Sequence, residues 1–181
     1  GGLPGYTVSA GQETVRRTSA PTAELASLTH PDRFSYLLRI ERRDPEVRSL
    51  IRLMRDSPHG RALRITPGLA KTELAALVSG GYDEIFKEAA DCGLPIFVVI
   101  PGNVPALGPS IEKFRSLTFI IDHTGMPFSP AMSAKRVSAQ RSPARGGGTN
   151  QAEFENVLRA ADRPNVALKW EHAQAVFGVP E

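Results

Sequence analysis

Cysteine is almost missing from this 181-residue chain, and the single Cys92 excludes both an internal disulfide framework and a multi-cysteine zinc site. It lies in A-A-D-C-G-L-P, an apparent helix end where a small, half-buried residue fits. Long apolar runs are also lacking. None approaches the roughly 18 residues that a membrane-spanning helix needs, so no membrane role is expected. No charged-then-apolar secretory segment opens the chain, which points to a cytoplasmic location, and the opening has no initiator Met. Charge of one sign is scarce, because 22 Lys and Arg against 19 Asp and Glu leave a net charge of only +3. Apart from Arg16-Arg17, the basic residues cluster only at Lys135, Arg136, Arg141 and Arg145, in a Ser/Ala/Gly-rich stretch ending G-G-G-T-N. No aromatic residue is interleaved there for base stacking, so that stretch suits a solvated or substrate-facing loop and not a nucleic-acid surface. Neither a G-x-G-x-x-G turn nor a G-x-x-x-x-G-K-[ST] loop follows any predicted strand, which argues against dinucleotide and P-loop folds.

What is present is a repeated alternation of apolar runs and helical spacing. Residues 1–21 are rich in Gly, Ser, Thr and Pro and are read as an irregular segment, with at most a frayed piece around Gln12 to Arg17. One ordered domain over residues 22–181 is expected, opening on a helix that starts at Pro21-Thr22-Ala23-Glu24 and continues over Ala23 to Leu28 until His30-Pro31 stops it. The runs 34–40, 60–65, 94–100, 117–121 and 165–170 read as strands. Between them, apolar residues at Val47, Leu50, Ile51 and Met54, at Ile85, Phe86 and Ala89, and at Phe154, Val157 and Leu158 mark helices, with a shorter helix near Ile111. Five strands alternating with helices predict a parallel α/β sheet, whose chemistry collects past the carboxyl ends of its strands.

The strand at 117–121 ends in Asp122-His123 and a Gly-containing turn. His123 is the candidate general base, metal ligand or donor to a substrate oxygen, against the alternative that it merely caps the strand. Asp122 either orients the imidazole or packs at the strand end. Arg64 and Arg39 alternate with apolar residues in their strands and face either the sheet interior or the helices; facing inward they suit a carboxylate-bearing substrate or, equally, a structural ion pair. Lys169 and His172 flank Trp170 at the end of the last strand and are further substrate-binding candidates, with His172 alternatively starting a helix and Trp170 read as packing. His30 and His59 precede strands, at the opposite end of the sheet, and receive no role.

Taken together, G60-R-A-L-R-I-T-P, G93-L-P-I-F-V-V, L117-T-F-I-I-D-H-T-G-M-P and P164-N-V-A-L-K-W resemble successive strands of the amidohydrolase-related, metal-dependent hydrolase family. That family includes 2-pyrone-4,6-dicarboxylate lactonase and carboxymuconate-semialdehyde decarboxylase-type enzymes, built on a (β/α)₈ TIM barrel. The resemblance implies that the five strands are numbers three to seven of eight, with the first and last barrel strands missing. Metal-binding members carry an H-x-H on strand one, a His after strand five, another after strand six and an Asp after strand eight. Here only His123 matches, and strand five ends in Val98-Val99-Ile100. A catalytic zinc needs about three protein ligands, so none is expected in this chain, and a divalent metal only in a full-length relative that supplies the rest. The sequence therefore reads as a fragment, as a member of a metal-independent lactonase branch, or as both. The resemblance implies a hydrolase acting on a small carboxylated or lactone, ester or amide substrate by water attack on a carbonyl. Its alternatives are a decarboxylase of the same family and a catalytically inactive remnant or binding module. Open sheet edges would favour self-association.

Overall fold

The computed structural model describes residues 12–127 and 147–171. The basic cluster at 135–145 and His172 lie outside the described residues. Within them, no helix is long and apolar enough to cross a membrane. The elements run α1 (Gln12–Thr29), β1 (Tyr36–Arg39), α2 (Val47–Asp56), β2 (Gly60–Ile65), α3 (Lys71–Val78), α4 (Asp83–Asp91), β3 (Ile96–Val98), α5 (Gly108–Lys113), β4 (Phe119–Ile121), α6 (Gly147–Ala161) and β5 (Val166–Leu168). Short single turns follow β2, β3 and β4.

The five strands form one sheet in chain order, β1-β2-β3-β4-β5, and every pair is parallel. With helices flanking it, this is the α/β arrangement of a partial (β/α)₈ barrel. Register sorts the side chains into two faces. Leu38, Leu63, Ile96, Phe119 and Val166 form one cross-strand row, and Arg39, Arg64, Phe97, Ile120 and Ala167 the next. The first row joins Ile51 and Met54 of α2 and Ile85, Phe86 and Ala89 of α4 in the buried core. Phe86 is central: fully buried, it stacks edge-on against Phe119 at 5.2 Å and Phe114 at 5.5 Å between ring centroids. Burying a side chain of that size contributes about 1.5–3 kcal/mol. The second row stays partly exposed, and it is the row that carries the two arginines.

Strand β2 matches its predicted run at 60–65, whereas the other four ladders are shorter than the apolar runs that predict them. Val99 and Ile100 are buried beyond the end of β3, so apolarity continues into the connection and does not mark where pairing stops. Two helical features depart from the sequence reading. Helix α1 begins at Gln12 and runs through Pro21, so residues 12–21, read as irregular, are helical. The helix formers Gln12, Glu13, Arg16 and Arg17 supply intrinsic propensity there without an apolar period, and periodicity alone misses it. Helix α3 was likewise not anticipated, because L-A-A-L-V is apolar all along and shows no single face.

Polar side chains tie the connections down. The Asn165 amide lies within 3.1–3.3 Å of the carbonyls of Ile111, Phe114 and Leu117, fixing the entry to β5. Glu73 of α3 accepts from Arg42 at 2.8 Å, Arg43 at 2.9 Å and the Tyr82 hydroxyl at 2.7 Å. Burial pushes its carboxyl up, but those three donors outweigh burial and hold it down at about 2.

Candidate active site

Past the carboxyl end of β4, the chain turns in an uncommon way. His123 and Thr124 both adopt left-handed backbone, at φ +53° and +56°, and Gly125 follows at +69°. Non-glycine residues rarely sit there, least of all a β-branched one, so this turn stores strain that its surroundings must hold in place. Those surroundings are specific. The Thr124 amide donates to the Lys169 carbonyl at 3.1 Å, the Lys169 amide donates to the Ile121 carbonyl at 2.9 Å, and the Gly102 amide donates to the Gly125 carbonyl at 2.9 Å. A Cβ on Gly125 would lie 2.6 Å from Val104 Cγ2 and 2.8 Å from Ile121 Cγ2, so only glycine fits.

The turn delivers Asp122 and His123 into a cluster drawn from three strand ends. Asp122 is fully buried at its side chain; Arg64 Nη2 lies 2.5 Å from its Oδ2 and Lys169 Nζ 3.5 Å from its Oδ1. Neither oxygen meets a donor at a hydrogen-bonding angle, so the two cations compensate this carboxylate mainly through their charge. Glu171 accepts from Lys169 Nζ at 2.6 Å, and its other oxygen lies 2.9 Å from His123 Nδ1. Burial raises the Glu171 carboxyl, but the Lys169 hydrogen bond and charge hold it below the ordinary glutamate range. Lys169 also stands over the Phe97 ring, 5.8 Å from its centroid.

The hydrogen-bonding rules fix the histidine tautomer. Arg64 Nη2 lies 3.1 Å from His123 Nε2, and a guanidinium only donates, so Nε2 accepts. The proton of the neutral ring is then on Nδ1, where the Glu171 carboxylate receives it.

Of the residues singled out from sequence, His123, Asp122, Arg64 and Lys169 meet here. Arg64 faces the partly exposed side of the sheet, resolving its two possible directions. Arg39 pairs with it in register on the neighbouring strand, and its Nη2 donates to the Thr66 hydroxyl at 3.0 Å. Asp122 does not orient the ring: its Oδ1 is 4.0 Å from His123 Nε2, whereas Glu171 holds Nδ1. Trp170, expected to pack, is 64% exposed. Glu171 was overlooked, although K-W-E places it two residues from Lys169 and so on the same side of an extended chain.

Asp122, His123 and Glu171 each present one ligand atom within 4.8 Å of the others, a donor set of the kind that holds a metal. The charges do not fit one. Arg64 and Lys169 already balance the two carboxylates, and both stand on the oxygens that a divalent cation would need. As arranged, the five side chains form a neutral, self-compensated network and not a vacant metal cage. Residues 10–179 of the chain match the family model described as amidohydrolase. No curated protein matches it.

Proposed function

Because the chain belongs to the amidohydrolase family, we propose that it hydrolyses a small carboxylated lactone, ester or amide, with His123 as general base. Hydrolase- or lyase-type chemistry is what the family supports; the substrate class rests on the site. The observation that carries it is the pairing of an oriented neutral imidazole with two cations at the carboxyl ends of parallel strands. Glu171 fixes the Nδ1–H, so Nε2 is the ring nitrogen that takes a proton from water once Arg64 Nη2, which donates to it at 3.1 Å, gives way. Hydroxide adds to the carbonyl carbon, and Lys169 stabilises the developing oxyanion through its charge. The imidazolium is itself stabilised by Glu171, and it returns the proton to the leaving oxygen or nitrogen as the tetrahedral intermediate collapses.

Arg64, with Arg39 beside it, supplies donors for the substrate carboxylate. The charge balance around Asp122 favours a metal-independent, lactonase-like branch. Decarboxylation is the second reading, favoured by the same cations that would seat a carboxylate. We take residues 22–181 to form one catalytic domain, with a small molecule as its partner and the outer edges of β1 and β5 as places for self-association.

The test is turnover of carboxylated aryl esters and lactones by the protein and by His123→Ala. A general base contributes about 10²–10⁴-fold, so the variant should lose at least about a hundredfold in kcat. Turnover unchanged by the substitution would overturn the assignment.

A further inference from the structure

Arg64 occupies the one atom that the proposed chemistry needs, and this suggests a way for substrate to switch the site on. We propose that Arg64 is a substrate-operated cap on the base: an anionic substrate group draws its guanidinium off His123 Nε2, so that a carboxylate is required for activation as well as for binding. This rests on the reading of His123 as general base.

The geometry supplies each element of the switch. A single nitrogen, Nη2, serves both Asp122 Oδ2, at 2.5 Å, and His123 Nε2, at 3.1 Å. The buried Arg64 Nε meets no partner, so the donors of the guanidinium are incompletely used. A planar fork with spare donors is suited to take a carboxylate bidentately, and that bond is stronger than one to a neutral imidazole nitrogen. Asp122 is not abandoned when the guanidinium moves. Lys169 stands 3.5 Å from its other oxygen and keeps the buried charge compensated. Meanwhile the Glu171 contact to Nδ1 lies on the opposite side of the ring and holds the imidazole in place. Once Nε2 is vacated, water can donate to it, and its proton passes there as hydroxide adds to the carbonyl. A neutral ester enters with the base still capped. The cap therefore discriminates in kcat, where a simple anchor would act on KM.

The experiment is ¹⁵N NMR of the His123 imidazole in labelled protein, with succinate as the anionic probe and succinamide as its neutral counterpart. Losing a charged donor moves an accepting ring nitrogen downfield. Succinate should shift Nε2 downfield toward the position of a water-solvated imidazole and leave Nδ1 nearly unmoved, while succinamide shifts neither. No downfield movement with saturating succinate, or an equal one with succinamide, would overturn the cap. The wild-type titration stands without a variant; Arg64→Met, which removes every donor at this position, should show the downfield position before any probe is added. The readout does not depend on turnover. Hydrolysis with an unmoved resonance removes the cap alone, whereas a moved resonance without hydrolysis removes the hydrolase reading.

Discussion

At Gly125 the backbone and the core make the same demand. A positive φ disfavours any side chain, and the space where a Cβ would go is already filled by Val104 and Ile121. Gly125→Ala should therefore destabilise the protein by about 1–3 kcal/mol, combining left-handed strain with overpacking. Thermal denaturation beside wild type measures it, and an unchanged melting temperature would remove the argument. D-H-T-G announces a turn and nominates His123, but it does not disclose that three successive residues turn left-handed. That conformation is imposed by the amide bonds from Thr124 and Gly102, which are contacts distant in sequence. Arg64 shows the same limit: alternation places it opposite Leu63 and Ile65, and only the packing of α2 and α4 decides which of those two faces is the buried one.

Helix α3 is fastened by a charge. With its carboxyl lowered from 4.5 to about 2, Glu73 binds fewer protons in the folded protein than in the unfolded chain. Its contribution is thus complete above about 4.5 and is lost as pH falls from there toward 2. Glu73→Gln should melt below wild type at neutral pH, and the gap should narrow through that acidic window in urea midpoints taken across pH. A gap of constant size would show that the three donors do not depend on the charge. Glu73 itself gives no signal in sequence, because Arg42 and Arg43 stand about thirty residues away and only the pairing of β1 with β2 brings the two connections together. The helices with a single apolar face, α2 and α4, are readable from spacing; α1 is readable only over Ala23 to Leu28, from its start and stop signals, and α3, which lacks a single face, is not.

For the molecule as a whole, parallel α/β alternation was readable because each buried strand is an uninterrupted apolar run between helical patterns. The balance of charge at the site was not, since Arg64, Asp122, Lys169 and Glu171 come from three separate strand ends. That balance has a macroscopic consequence. Zinc or EDTA should leave the melting temperature unchanged, because a cation that binds the folded state raises it through mass action, and here binding must displace two fixed positive charges. A rise of several degrees with stoichiometric zinc would show that Arg64 and Lys169 yield to a metal. Each strand lies beside its successor in the chain, so the sheet can be built unit by unit as the polypeptide lengthens, each addition closing only a short loop. Lys169 and Glu171 arrive with β5, the last strand among the described residues, and until it docks the imidazole has no orienting carboxylate and the strained turn no partner for its Thr124 amide. A nascent chain would thus carry a formed hydrophobic core well before it carried any chemistry.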